Sequence, residues 1–204
     1  MLILELFSGT GSLGKVARKR GHTVISVDID EKMKPDIVCD ILKLNYKQLP
    51  VPDFIWASPP CDTFSPLVCS HRQPARDCKT YKAITEKGKL GDKYLKKTME
   101  IIRYFESINP CLKFVIENPR GMMRKQPIMK HVERATTTYC KYGSKKKKAT
   151  DFFNNFNLML LPVCTPKNRH RGKFEHIPVQ QCSLLEKYKI PPRLIETILI
   201  QAGG

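Results

Sequence analysis

The sequence predicts an α/β fold in which a mostly parallel sheet carries helices on both faces. Short apolar segments of strand character alternate with segments of helical spacing. This alternation is typical of parallel sheets, because neighbouring parallel strands need a crossover connection. Such sheets bind ligands beyond the carboxyl ends of their strands. The segments predicted as strands are "LILELF", "TVISVDI", "DFIWAS" and "KFVIEN".

Three segments carry the spacing and the end signals of helices. "SLGKVARKRG" ends at Gly21, "YLKKTMEIIRYFESI" stops before Pro110, and "PPRLIETILIQ" has proline in its first turn. Two basic segments, 66–93 and 162–180, lack this periodicity. The first is too long for an ordinary connection and predicts a mobile functional loop. The second predicts a small excursion from the main fold.

Composition restricts the class of protein and its partners. The chain has 204 residues, the size of one domain, and 36 Lys and Arg against 19 Asp and Glu give a formal net charge of +17. This charge predicts a polyanionic partner, nucleic acid first. Eight cysteines without a CxxC pair favour a reducing compartment, so we expect an intracellular protein, cytoplasmic or nuclear. The sequence shows neither a signal peptide nor an apolar run of roughly 18 residues, so we expect no membrane partner, and we expect a monomer.

The first motif, "LELFSGTGSLG", is a strand that runs into three glycines. Gly9, Gly11 and Gly14 have the spacing G-x-G-x-x-G, which lets the backbone approach a ligand closely and lets a helix start beneath it. A nucleotide-like cofactor is one interpretation of this spacing. The alternative is a tight strand-to-helix turn that needs glycine for steric reasons alone.

Carboxylates follow at the ends of the next two predicted strands. About 20 residues beyond the glycines, "VDID" supplies Asp28 and Asp30, where a carboxylate can accept hydrogen bonds from ribose hydroxyls. Asp40 stands at the end of a third strand. It is either a further ligand-binding group or a solvated loop residue.

A cysteine and a glutamate occupy two further strand ends. In "ASPPCDTFS", Pro59 and Pro60 restrict the backbone before Cys61, which as a thiolate would be a nucleophile. Taken alone, such a cysteine is more often a buried packing residue. In "VIENP", Glu117 and Asn118 stand where the ligand edge of the sheet is expected, and a carboxylate there favours a functional role because its desolvation is costly without a partner.

Taken in order, these motifs resemble the C5-cytosine DNA methyltransferase family. "LFSGTGSLG" resembles its cofactor loop, "SVDID" its ribose-binding motif, "CDI" its adenine-contacting motif, "PPCDTFS" its nucleophile motif and "IENP" its Glu-Asn motif. "TYCKYG" followed by "KATDFFNN" is most similar to compact viral enzymes, those of phages and large DNA viruses, with a reduced target-recognition region. The resemblance covers nearly the whole chain and implies a Rossmann-like S-adenosylmethionine-dependent methyltransferase fold.

The resemblance also implies a reaction and a set of site residues. Double-stranded DNA would be the substrate and S-adenosylmethionine the cofactor, with Cys61 attacking C6 of a flipped cytosine. Glu117 would hold the N3 and N4 edge of the base, and Asn118 and Lys148 complete the catalytic set. The implied cofactor-binding residues are Phe7, Ser8, Gly9, Thr10, Gly11, Asp28, Ile29, Asp40, Ile41, Pro60 and Leu95.

The resemblance further implies three regions. These are a catalytic core over 1–157, a reduced target-recognition insertion over 158–182 and a C-terminal helix over 183–204 that returns to the core. Because the insertion is short, we expect low sequence specificity or a short recognition site. In the family's Gln-x-Arg-x-Arg motif this chain has Lys146, Lys148 and Thr150. A solvated, phosphate-attracting loop is the alternative interpretation of its "KKKK" run.

Two other functions and one metal site are alternatives at the level of the sequence. The chain could be a catalytically weak accessory protein that binds cofactor and DNA, or an RNA cytosine-5 methyltransferase, since a basic groove alone does not distinguish the two backbones. Cys164, His170, His176 and Cys182 recur at six-residue steps. Structural zinc sites favour more closely spaced ligand pairs, so the sequence predicts no metal.

Overall fold

The chain forms one seven-stranded sheet in a computed structural model that describes residues 1–66, 74–168 and 176–203. The strands are β1 (Leu2–Leu6), β2 (Thr23–Asp28), β3 (Ile37–Val38), β4 (Phe54–Ala57), β5 (Lys113–Pro119), β6 (Glu133–Thr138) and β7 (Ala149–Asn154). Their order is β3-β2-β1-β4-β5-β7-β6. β1 to β5 run parallel, and β7 lies antiparallel to both β5 and β6.

Helices cover both faces of the sheet, as predicted. They are α1 (Ser12–Lys19), α2 (Glu86–Ile108), α3 (Leu184–Tyr188) and α4 (Pro192–Gln201). The apolar sides of α1 and α4 share one hydrophobic cluster with one face of the sheet, and α2 packs into a second cluster on the other face. The predicted α/β class is therefore confirmed, as are the four predicted strands and the three predicted helices. The antiparallel pair β6–β7 and the short helix α3 were not predicted.

The sheet order determines which chain segments can meet. β1 and β4 are neighbours, and the chain proceeds outward from them in opposite directions, which creates a crevice at their carboxyl ends. Because β7 is antiparallel, its first residue lies at this same edge. Segments that follow β1, β2, β4 and β5 therefore meet the segment that precedes β7.

The segment predicted as a long mobile loop is shorter than expected. α2 begins at Glu86, where the Thr85 hydroxyl accepts a hydrogen bond from the Gly88 N–H, so the C-terminal part of 66–93 is helical. Residues 74–85 form a turn closed by a bridge between Arg76 and Ala83. Residues 67–73, also part of that predicted loop, lie outside the described residues.

Two further observations concern the chain as a whole. Across the parts of the chain that the structure describes, no helix combines the length and the apolar character needed to cross a membrane. Of the cysteines in these parts, six carry free thiols, and Cys78 forms a disulfide.

Candidate active site

A cavity of about 320 Å³ opens at the carboxyl edge of the sheet, over the β1–β4 crevice. A second cavity of about 50 Å³ adjoins it and shares several of its residues. The loops after β1, β2 and β4 line the larger cavity together with the end of β5 and the residue before β7. Its lining includes the predicted residues Phe7, Ser8, Gly9, Thr10, Asp28, Ile29, Pro60, Cys61, Glu117 and Lys148.

The loop after β1 adopts a backbone conformation that requires glycine. Gly9 and Gly11 have φ values of +48° and +64°, in the left-handed region that side chains rarely adopt. Phe7 also has a positive φ, 57°, and its ring packs edge-on against Tyr94. This backbone conformation costs energy for a residue other than glycine, and such strained residues are common at ligand sites. The backbone conformation of this loop thus places Phe7 and Gly9 at the border of the cavity.

The acidic strand ends lie beside this loop. The Asp28 carboxylate accepts hydrogen bonds from the Gly9 N–H at 2.7 Å and from the Asp30 N–H at 2.9 Å, so it ties the glycine loop to β2. The adjacent Ile29 is 64% exposed, and it borders both cavities. Asp40 and Ile41 line the second cavity. The arrangement combines carboxylates with apolar surface, as a nucleoside requires.

Two predicted cofactor residues lie elsewhere. Leu95 is 1% exposed in the core between α2 and the sheet, and it lines neither cavity. Its assignment to the cofactor site stays a prediction, since Leu95 lies on the inner side of α2 and packs against the sheet. Gly11 also lines neither cavity, and it serves as the cap residue before α1.

Cys61 is half-buried and faces the larger cavity. Its carbonyl accepts hydrogen bonds from the N–H groups of Phe64 and Ser65, which form a turn directly after it. On its other side, the buried Asn118 amide donates a hydrogen bond to the Pro59 carbonyl at 2.9 Å. Asn118 lines neither cavity, and its hydrogen bond holds the Pro59 carbonyl two residues before Cys61; its predicted catalytic role stays a prediction.

The charge state of Cys61 depends on its neighbours. Burial raises the pKa of the Cys61 thiol above its usual value, the Lys148 ammonium acts in the opposite direction, and the Glu117 carboxylate raises it further. The free protein therefore holds mainly the thiol at neutral pH. Lys148 is the group that favours the thiolate.

Glu117 is held by a buried tyrosine and a lysine. The Tyr139 hydroxyl donates a hydrogen bond to Glu117 Oε1 at 2.9 Å, and Lys148 Nζ lies 3.6 Å from the same oxygen. The Lys148 ammonium also stands 5.1 Å from the centre of the Tyr139 ring. Burial and the Glu117 charge raise the pKa of Tyr139 well above its usual range, so Tyr139 remains a hydrogen-bond donor. Sequence reasoning missed this tyrosine, because it follows a strand whose sequence, "ERATTT", lacks apolar alternation.

The "KKKK" run is not uniformly solvated. Its side chains alternate as the run enters β7, with Lys145 and Lys147 exposed, Lys146 buried and Lys148 half-buried. Lys146 Nζ donates hydrogen bonds to the carbonyls of Glu186 and Lys189, and Lys148 Nζ donates one to the Lys187 carbonyl at 3.2 Å. Two of the four lysines thus hold the carboxyl end of α3, where unpaired carbonyls favour positive charge.

A buried carboxyl group lies beneath the glycine loop. Glu5, in the middle of the sheet, borders the larger cavity, and its Oε2 atom has no hydrogen-bond partner. Burial raises the pKa of Glu5 to about 8, although the Arg18 charge partly opposes this shift. A methyl group at Gly14 would lie 2.8 Å from Glu5 Oε2 and from Arg18 Nη1, so a larger residue there would displace these side chains.

We expect Glu5→Gln to change how stability depends on pH. The native state binds more protons than the unfolded state between pH 4.5 and about 8, so the free energy of unfolding of the natural chain falls as pH rises through this window. The glutamine variant should lack this loss, which is on the order of 3 kcal/mol. Urea unfolding at about pH 5 and about pH 8.5 measures the difference. Glu196→Gln, an exposed control on α4, should behave like the natural chain; the same behaviour in Glu5→Gln would contradict the raised pKa of Glu5.

Comparison with known proteins places these features in context. No family model matches the chain. A protein of Frog virus 3 (isolate Goorha), named "Probable DNA (cytosine-5)-methyltransferase", is 28% identical over 221 aligned positions, covering 98% of this chain and 99% of the viral protein.

Solved structures of other proteins share the fold. The Entamoeba histolytica methyltransferase EhMeth has a TM-score of 0.51 and 16% identity over 80% of this chain, and the Spodoptera frugiperda DNMT2 E260A/E261A/K263A mutant has a TM-score of 0.50 and 16% identity over 82%. This chain spans 56% of the length of each of them. The likeness confirms the predicted Rossmann-like methyltransferase fold.

Proposed function

We propose that this chain is a compact DNA (cytosine-5)-methyltransferase that transfers a methyl group from S-adenosylmethionine to C5 of a flipped cytosine through a covalent adduct at Cys61. One observation carries this proposal. Cys61, Glu117 and Lys148 line the same cavity as the glycine loop and Asp28, so a nucleophile and an acidic group face the place where a nucleoside cofactor fits. The name of the related viral protein supports DNA as the substrate.

The residues around the two cavities fit S-adenosylmethionine. Asp28 keeps lone pairs for ribose hydroxyls beside the hydrogen bonds that it accepts from the backbone. Ile29 and Phe7 offer apolar surface, and Asp40 and Ile41 in the second cavity would contact the adenine. When bound, S-adenosylmethionine supplies a methyl carbon activated by a sulfonium leaving group.

Cys61 makes C5 of cytosine nucleophilic. Its thiolate adds to C6, a C–S bond forms, and the electron pair of the C5=C6 double bond becomes available at C5 for a bond to the methyl carbon. Loss of the C5 proton to solvent water, departure of Cys61 as the thiolate and return of the N3 proton to Glu117 then restore the aromatic ring. A base paired within a duplex cannot present C6 to a thiol, so the cytosine must leave the stack.

Glu117 and Lys148 serve the addition step. Charge develops on the ring at N3 as the thiolate adds, and a carboxyl group at the N3 and N4 edge can stabilise that charge and hold the N3 proton. The Tyr139 hydrogen bond restrains one oxygen of Glu117. Lys148, which counteracts the effect of burial on the Cys61 pKa, favours the thiolate when the substrate covers the cavity.

Double-stranded DNA would contact the basic surface of a monomer. We propose that 158–182 is the reduced target-recognition region, flanked by the catalytic core and by the C-terminal segment. Residues 169–175, with Arg169 and Arg171, lie outside the described residues. Because contacts to phosphates carry most of such an interaction, its affinity depends on salt concentration more than on sequence.

Covalent trapping tests the proposal. The protein is incubated with S-adenosylmethionine and oligonucleotides that contain 5-fluorocytosine, which lacks the C5 proton whose loss releases Cys61, and adducts are resolved on a denaturing gel. We expect an adduct with DNA for the natural chain and for Cys111→Ala, which removes an exposed free thiol, and none for Cys61→Ala. An adduct with RNA alone would replace DNA by RNA as the substrate. No adduct with either nucleic acid would favour the accessory, non-catalytic function.

A further inference from the structure

Three potential metal ligands converge outside the candidate active site. The Sγ atoms of Cys140 and Cys164 and a ring nitrogen of His176 all lie within 4.8 Å of one another. Cys164 Sγ and His176 Nε2 are 3.9 Å apart. Both thiols are free and buried, His176 is half-buried, and none of the three lines either cavity. The cluster is therefore separate from the proposed reaction.

We propose that Cys140, Cys164 and His176 bind a zinc ion. Thiolate and imidazole are the preferred zinc donors, with Zn–S and Zn–N distances of about 2.3 and 2.0 Å. Around a tetrahedral ion such ligand atoms lie about 3.5–3.8 Å apart, so the three side chains need to close by roughly 1 Å at most. The fourth position remains for water or for a further donor.

The backbone already holds the two thiols in place. Cys140 lies in a single turn of 3-10 helix, Tyr139–Tyr142, directly after β6. The Thr138 hydroxyl oxygen accepts a hydrogen bond from the Cys164 N–H at 3.0 Å and from the Cys140 thiol at 3.5 Å. One threonine thus links the backbone of Cys164 to the side chain of Cys140. Support of this kind around the ligands is characteristic of metal sites.

The third ligand approaches from the other end of the insertion. Next to His176, the Ile177 N–H donates a hydrogen bond to the Lys145 carbonyl at 3.0 Å, which attaches this part of the chain to the segment before β7. Cys164 and His176 bracket the central part of 158–182, and Cys140 belongs to the core. A metal ion would therefore cross-link the two ends of that central part to the sheet.

Such a cross-link would compensate for the small size of the insertion. A segment of this length cannot bury enough apolar surface to fold by itself, and metal ions stabilise small units of this kind. Cys140 also follows Tyr139, the residue that donates a hydrogen bond to Glu117. The ion would fix 158–182 to the same turn that supports the Glu117 carboxylate. Sequence spacing did not indicate this site because Cys140 lies far from the other two ligands along the chain.

Metal content tests this inference without any measurement of methyl transfer, so its outcome is independent of the proposed function. The full chain is produced with zinc under reducing conditions and desalted, and its zinc is measured by mass spectrometry. We expect about one zinc per chain for the natural protein and for Cys111→Ser, a matched control with an exposed free thiol. The variant Cys140→Ser with Cys164→Ser should hold at least about tenfold less.

A second measurement covers the case in which the double variant does not fold. Cobalt(II) added to the metal-free natural chain should produce a thiolate-to-cobalt charge-transfer absorption that zinc abolishes, and zinc but not magnesium should raise the thermal unfolding temperature. The inference is wrong if the natural chain holds no zinc and gives no such absorption. It is equally wrong if the double variant retains the zinc of the natural chain, or if Cys140 and Cys164 form a disulfide under reducing conditions.

Discussion

Glu117→Gln is expected to lower kcat for methyl transfer by about 10²–10⁴-fold while leaving KM for DNA nearly unchanged. Glutamine has the shape of glutamate, and its amide can donate to N3 and accept from the N4 amino group of cytosine. It therefore retains the contacts with the unreacted base. It cannot supply the N3 proton as the thiolate adds to C6, so the loss falls on the transition state.

Single-turnover rates with excess enzyme, together with steady-state kcat and KM, separate these effects. Glu133→Gln, an exposed control at the start of β6, should match the natural chain. Tyr139→Phe removes only the hydrogen bond to Glu117 Oε1, so we expect a smaller fall in kcat, about tenfold. A Glu117→Gln variant with unchanged kcat, or with a raised KM alone, would show that Glu117 only binds the base.

Most of the cavity could be predicted because its parts are local in sequence. In a parallel sheet every strand delivers its following residue to the same edge, so Gly9, Asp28, Cys61 and Glu117 could be placed together without any knowledge of their contacts. Strand ends are recognisable from apolar runs followed by polar or glycine residues. In the observed sheet, this rule alone accounts for the presence of these four residues in one cavity.

The partners of these residues could not be predicted, because they depend on contacts between distant segments. Tyr139 reaches Glu117 only because β7 lies between β5 and β6, and the strand pattern of "ERATTT" is too polar to signal a strand by apolar alternation. Only the family resemblance implied Lys148, which enters the site because β7 runs antiparallel. The role of Asn118 depends on a hydrogen bond to Pro59, which is 59 residues away. Side chains of this kind are identified only when the strand order is known.

Arg76 is the clearest residue that sequence reasoning missed. Its guanidinium is fully buried, although it lies in a segment that reads as a polar loop. Nε donates to the Thr63 carbonyl at 2.8 Å and Nη2 to the Gly88 carbonyl at 3.2 Å. Nη2 also lies 2.7 Å from the Asp92 carboxylate, and the guanidinium stacks on the Phe64 ring at 4.1 Å. One side chain thus joins the turn after Cys61 to α2.

We expect Arg76→Met to lower the free energy of unfolding by roughly 3–5 kcal/mol. Methionine fills much of the volume, but two buried carbonyls lose their donor and Asp92 loses its counter-charge. Urea unfolding measures the effect, with Arg103→Met as a control that removes an exposed arginine from α2. Arg76→Lys should recover part of the loss, because lysine restores the charge without the planar fork. A change below about 1 kcal/mol for Arg76→Met would mean that the turn holds without the guanidinium.

Arg76→Met should also slow the reaction of the Cys61 thiol. A residue that contributes only to overall stability would not have this effect. Thr63 and Phe64 lie in the turn after Cys61, in which the Phe64 and Ser65 N–H groups donate hydrogen bonds to the Cys61 carbonyl. Loosening this turn would therefore free the Cys61 thiol from its orientation. We expect slower trapping by 5-fluorocytosine DNA under conditions where the variant is still folded. Adding Asp92→Asn to Arg76→Met should restore part of the stability, since it removes the carboxylate left without a partner, but it should not restore the trapping rate. Recovery of both would mean that Arg76 acts on Cys61 only through overall stability.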